Sequence, residues 1–74
     1  MINPLQENVL PLRQLRRQLP GKPAYQTLLE WCTKGRKNRL TGRRETMEKL
    51  RLPPGYHSSL EAYLRFIDRL NSLD

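Results

Sequence analysis

Leu19-Pro20-Gly21-Lys22-Pro23 interrupts the front third of this chain. Proline disfavours helical geometry in the residue before it, and glycine reaches the positive φ that a tight turn needs. A helix arriving from the N-terminal side must therefore stop near Leu19, and a new one can open at Pro23, a residue suited to the first helical position. The apolar spacing agrees on both sides. Pro11 can open the earlier helix, and Leu12, Leu15 and Leu19 then repeat at three and four residues while Arg13, Arg16 and Arg17 take other faces, which predicts a helix over about 11–18. Beyond the break, Ala24, Leu28 and Trp31 form one stripe with Tyr25, Leu29 and Cys32 beside it. Gln26, Glu30 and Thr33 lie opposite, Thr27 sits at the border, and Lys34-Gly35 marks the end of a second helix of about twelve residues.

From Gly35 to Gly42 the chain is basic and polar. From Arg44 to Leu52 the chain alternates in part, with Thr46, Glu48 and Leu50 on one side and Met47, Lys49 and Arg51 on the other. Pro53-Pro54-Gly55 is a strong turn signal, and Tyr56-His57 can begin a returning strand, so a small hairpin is expected here. Ser58-Ser59-Leu60-Glu61 offers a capping box for a last helix over about 59–72. Leu60, Tyr63, Leu64, Ile67, Leu70 and Leu73 line one of its faces with Phe66 at the border, and Glu61 and Arg65 are spaced for an i,i+4 pair worth about 0.3 kcal/mol. Residues 1–10 show no period and read as a loosely ordered N-terminal arm, leaving 11–74 as the folded domain.

Charge narrows the function. Eight of the fourteen basic residues (Lys34, Arg36, Lys37, Arg39, Arg43, Arg44, Lys49 and Arg51) fall in one eighteen-residue stretch, opposed there only by Glu45 and Glu48. About +6 of the net +7 therefore resides in that segment, and the isoelectric point is near 10.3. Such a concentration repels itself, and bound phosphates relieve the repulsion. Nucleic acid is the leading partner. Seventy-four residues make one small core without room for a deep catalytic cleft, so a binding module fits better than an enzyme. One cysteine cannot form an internal disulfide, and neither a Cys/His cluster nor a partner for His57 supports a metal or a catalytic triad. No apolar run approaches the length that spans a bilayer. The expectation is a cytoplasmic protein without cofactor, metal or membrane association.

Two short helices joined by a Pro-Gly-Lys turn are what a helix-turn-helix requires, its second helix entering the major groove. Leu-Pro-Gly-Lys-Pro at 19–23, Thr27 followed by Trp31, Gly35, and Ser59-x-Glu61-Ala62-x-x-Arg65-Phe66 together resemble the small winged-helix domains of the MerR-like group, which includes phage excisionases. The resemblance covers about two thirds of the chain. It implies a mostly helical α+β fold, a small winged helix-turn-helix with three helices and a short β-hairpin wing. It also implies double-stranded DNA as partner, Gln26, Thr27 and Glu30 facing it, and Trp31 packed beneath. Where members of the group commonly carry arginine before the tryptophan, this chain has Glu30, which either accepts from a cytosine amino group or marks a different docking. The segment 36–44 is longer and more basic than the usual connection.

The residue chemistry fits the same frame. Glutamine pairs bidentately with adenine, and threonine meets a thymine methyl or a phosphate, so Gln26 and Thr27 are the candidates for direct readout. Lys22, Lys34, Arg36, Lys37, Arg39, Arg43, Arg44 and Lys49 are the candidates for phosphate contact, which positions without specifying sequence. Regulation of transcription and an excisionase-like role in a mobile element both suit such a protein, with self-association or a protein partner on DNA supplying specificity. A ribosome-associated RNA binder, or a phage-type modulator using its last helix or arm, are the other classes compatible with this charge and patterning.

Overall fold

The structure is a computed structural model that describes residues 2–3, 5–53 and 55–72. Among these residues the chain forms three helices and two small antiparallel sheets, an α+β arrangement. Its order is β1 (Leu10–Pro11), α1 (Leu12–Leu15) running on as a 3-10 turn (Arg16–Gln18), α2 (Tyr25–Thr33), β2 (Arg36–Lys37), β3 (Arg44–Glu45), β4 (Leu50–Leu52), β5 (Gly55–Ser58) and α3 (Leu60–Leu70).

Pro11 does not open the first helix from inside. It is extended (φ −55°, ψ 145°) and pairs with His57 on the edge of the sheet β1-β5-β4, a place where a missing N–H costs no ladder bond. The helix starts one residue later and ends as expected at Leu19, whose ψ of 144° before Pro20 is extended. The second helix likewise begins two residues after Pro23, because Ala24 is still extended. Its end follows the sequence signal: Gly35 takes φ +74° and returns its N–H to the Glu30 carbonyl at 2.8 Å.

The expected strand 44–52 is instead two strands. Between β3 and β4 the chain turns Met47 fully into the core, and its N–H donates to the Trp31 carbonyl at 2.9 Å, which ties this segment to α2. The earlier strand pairs with β2 as a separate ribbon, and the later one pairs with β5 around the Pro53 turn. Leu12, Leu15, Leu19, Leu28, Cys32, Met47 and Phe66 form the buried core, with Leu29, Tyr63, Ile67 and Leu70 half-buried against it. Trp31 is half-buried too, its ring 6.1 Å from Tyr63 and 5.6 Å from Phe66. Ala24, expected on the apolar stripe, is exposed because it precedes the helix.

The last helix is capped differently from the expected box. Ser59 Oγ accepts from the Ala62 N–H at 2.9 Å, and the carboxylate that meets the serine is Glu7 of the N-terminal segment, not Glu61. Arg65 also ignores Glu61 and pairs with Glu7 at 3.1 Å and Glu48 at 2.8 Å. The N-terminal segment is thus docked rather than loose: Ile2 is buried and Leu10 is paired in the sheet. Leu73, expected on the apolar face of α3, and Pro54 of the turn lie outside the described residues, as does Pro4 of the arm.

Candidate nucleic-acid interface

Helix α2 buries Leu28 and Cys32 and turns Gln26, Glu30, Thr33 and Lys34 to solvent, with Thr27 at the half-buried border. Burial pushes the Cys32 thiol up to about 11, so it stays a neutral packing group. The approach to the helix is a strained turn. Gly21 sits at φ +76° and Lys22 at φ +42°, held by the Lys22 N–H bond to the Leu19 carbonyl and by Arg16 Nε donating to the Pro23 carbonyl at 3.0 Å. Lys22 is exposed at the entry to α2 and Lys34 at its exit. Tyr25 lies under the Arg13 guanidinium, 4.3 Å from its ring centroid, which occupies one ring face.

Immediately after α2 comes the ribbon β2–β3. Its tip is organised by Asn38, a residue that sequence reasoning passed over. Asn38 is buried, its amide donates to the Arg69 and Ser72 carbonyls at 2.8 Å each, and its side-chain oxygen accepts from the Leu40 and Thr41 N–H groups. One side chain therefore fixes the basic turn to the carboxyl end of α3. The only advance signal was an asparagine inside a cationic run, a residue whose side chain bonds nearby backbone. Gly42, at φ +76°, closes the turn by donating to the Asn38 carbonyl.

Arg36, Lys37, Arg39, Arg43 and Arg44 are all exposed on this ribbon. Lys37 stands directly opposite Arg44, a like-charge cross-strand pair that destabilises the ribbon on its own. Arg44 is partly committed within the fold: its Nη1 donates to the Lys34 and Gly35 carbonyls at 2.9 and 3.1 Å, satisfying the end of α2. Lys49 and Arg51 belong elsewhere, on the lead-in and first strand of the β4–β5 hairpin, with Lys49 Nζ 5.8 Å from the Tyr56 ring centroid. The basic segment is thus divided between two hairpins. They flank α2 on opposite sides, since Arg51 and Tyr56 share a surface depression with Tyr25 and Leu29, while Arg36, Lys37 and Arg39 share one with Trp31.

Both carboxylates inside the basic segment pair with arginines of α3, although Glu45 stands opposite Arg36 in the β2–β3 register. Glu48 accepts from Arg65 Nε and Nη2 at 2.8 and 2.9 Å, and Glu45 lies 3.5 Å from Arg69. The bond from Arg65, opposed by partial burial, holds the Glu48 carboxyl down at about 2. Burial acts against ionisation of Glu7, but Ser59, the Asn3 N–H and Arg65 outweigh it and keep its carboxyl below the usual range. Among the described residues, Lys34, Arg36, Lys37, Arg39, Arg43, Arg44, Lys49 and Arg51 have no carboxylate at ion-pair distance. Arg65 and Arg69, outside the basic run, are the residues that make these pairs, and sequence spacing alone had assigned Arg65 to Glu61.

Comparison with protein-family models, curated proteins and solved structures gives no match to this chain. Among the described residues, no group of three or more His, Cys, Asp or Glu side chains is placed to hold a metal ion, and no helix is long and apolar enough to cross a membrane. His57 makes a 3.3 Å contact from Nδ1 to the Gly55 carbonyl within its own hairpin.

Proposed function

We propose that the protein binds double-stranded DNA as a small winged helix-turn-helix of the MerR-like kind, acting as a transcriptional regulator or as an excisionase-like factor of a mobile element. The observation that carries this reading is the division of charge: seven cations without a carboxylate partner on two hairpins that flank the exposed face of α2, with Lys34 an eighth at the end of that helix. Glu45 and Glu48 are taken up by Arg69 and Arg65, which leaves Lys37 across from Arg44 with no carboxylate at ion-pair distance among the described residues. Phosphates on both sides of a groove relieve that repulsion and release counterions.

In this reading α2 enters the major groove with Gln26 and Thr27 against base edges, and Glu30 accepts from a cytosine amino group on the same exposed face. Lys22 and Lys34 grip phosphates at the two ends of the helix. The β2–β3 ribbon follows the backbone on one side with Arg36, Lys37, Arg39 and Arg43, and the β4–β5 hairpin follows it on the other with Lys49. Arg44 holds the ribbon to α2 and adds to the field. One module of this size buries about 600 to 1,000 Å² of protein surface on DNA, so specificity calls for repeated sites, self-association or a partner on neighbouring DNA. Such a protein works in the cytoplasm, where the duplex is.

The salt dependence of duplex binding tests the proposal. Each phosphate contact removed lowers the slope of log K against log salt by about one. Arg39→Ala and Arg43→Ala should each flatten that slope and weaken all sequences alike, whereas Gln26→Ala should leave the slope intact and relax sequence preference. A slope that no ribbon substitution changes, or tighter binding to a structured RNA than to any duplex, would overturn it.

A further inference from the structure

The β2–β3 turn and the C-terminal half of α3 enclose an open cleft of about 460 Å³, a size in the range of ligand-binding pockets. Trp31, Leu40 and Ile67 contribute its apolar surface, and Arg36, Lys37 and Arg39 stand around it. Leu40 is the informative residue. It is 60 % exposed at the tip of a cationic turn, and its position is imposed, because its N–H donates to the buried Asn38 side chain at 2.7 Å. A turn built only to meet phosphates has no use for a leucine held in water.

We propose that this cleft binds an acidic peptide segment bearing bulky aliphatic side chains, supplied by a partner protein. The apolar surface takes the aliphatic groups, and the carboxylates of the peptide reach the three rim cations, none of which has a carboxylate partner among the described residues. A second copy of this chain is a poor occupant, since it too carries +7. A nucleobase fits less well: Trp31 packs against Tyr63 and Phe66, Phe66 is itself fully buried, and the other apolar residues of the lining are Leu40, Ile67 and Leu70 rather than a flat aromatic platform. The site does not depend on the DNA reading, because a chain that bound no duplex would present the same cleft.

Trp31 is the only tryptophan, so its emission reports on the cleft directly. The experiment titrates the full chain with a short peptide alternating aspartate and leucine, an aspartate-only peptide of equal length, and oligothymidylate. Leu40→Ser is tested alongside, a change at an exposed position outside the DNA contacts, with its melting curve confirming that it folds. The aspartate–leucine peptide should shift Trp31 emission to the blue with saturation, and Leu40→Ser should weaken it about tenfold, the range expected when a partly exposed leucine loses its burial on binding. Duplex DNA affinity should be unchanged in that variant, while Gln26→Ala should alter duplex binding and leave the peptide titration alone. The proposal is overturned if no saturable shift occurs, if the aspartate-only peptide does as well, if Leu40→Ser has no effect, or if oligothymidylate alone produces the shift.

Discussion

Gly35→Ala should be the most damaging single methyl that can be added to this protein. Gly35 sits at φ +74°, where a side chain costs roughly 1–2 kcal/mol for the left-handed backbone alone. The added Cβ would also overlap the Glu45 carbonyl group and come within 2.9 Å of Thr46 Cγ2, because strand β3 crosses directly against the end of α2. Both obstacles are anchored, Glu45 in the ribbon and Thr46 beside Met47, so relief requires moving the ribbon; overpacking of this kind costs about 1–3 kcal/mol. The total of about 2–5 kcal/mol is a large share of the roughly 4–11 kcal/mol expected for a domain this long. Two controls isolate the overlap term. Gly21 and Gly42 share a φ of +76°, yet a Cβ at Gly21 meets nothing and one at Gly42 meets only Lys37 Cε at 3.9 Å. Their alanine variants should therefore cost about 1–2 kcal/mol each, the backbone term alone. Urea unfolding of the three variants, read by Trp31 fluorescence, makes the comparison. Equal losses for Gly35→Ala and Gly42→Ala would refute the close crossing of β3 over α2, and with it the placement of the ribbon beside the helix.

Asn38→Ala should lose about 2 kcal/mol, since it removes the donor to the Arg69 and Ser72 carbonyls and the acceptor for two turn N–H groups, and Asn38→Asp should be worse because it sets a carboxylate against those carbonyls; thermal melts rank the two. Glu48 has a folded-state pKa of about 2 against an ordinary 4.5, so the native state binds fewer protons than the unfolded chain between those values. Its contribution, about 2 kcal/mol once screening by solvent around the partly exposed Arg65 is allowed for, is complete above about pH 4.5 and is lost as pH falls through about 2; Glu7 acts in the same direction. Melting temperature against pH should show that decline in the wild type, and Glu48→Gln should flatten it. Arg65→Met should raise the apparent pKa of both carboxylates and undock the N-terminal segment, which amide exchange at residues 5–10 would reveal.

The parts of the fold that backbone chemistry dictates were legible before any coordinates. The Pro20-Gly21 break and the Gly35 stop lie where sequence placed them, because each depends on one residue's own φ and ψ, while the last helix is capped by Ser59 and not by the Ser58–Glu61 box that the spacing offered. The two-hairpin division was not legible. Alternation over 44–52 gives no sign that Met47 leaves the sheet for the core, since a methionine reads equally well on either face of a weak strand. Long-range partners were hidden for the same reason. Glu7 lies fifty-two residues from Ser59 and Asn38 thirty-one from Arg69, and no local spacing connects such pairs. The candidate site was legible as composition, with its cations correctly read as exposed, while the pairing of Glu45 and Glu48 needed the positions of Arg65 and Arg69.

The central claim is that the protein selects sites on duplex DNA. Purified protein is incubated with fragments of the genome that encodes it at about 150 mM salt, where screening confines interactions to about 8 Å and non-specific binding is weak, and the retained fragments are sequenced. The account predicts enrichment of a few sites, as repeats beside its own gene or at an integration junction, and loss of that enrichment in Gln26→Ala. Uniform retention, or none, would contradict it.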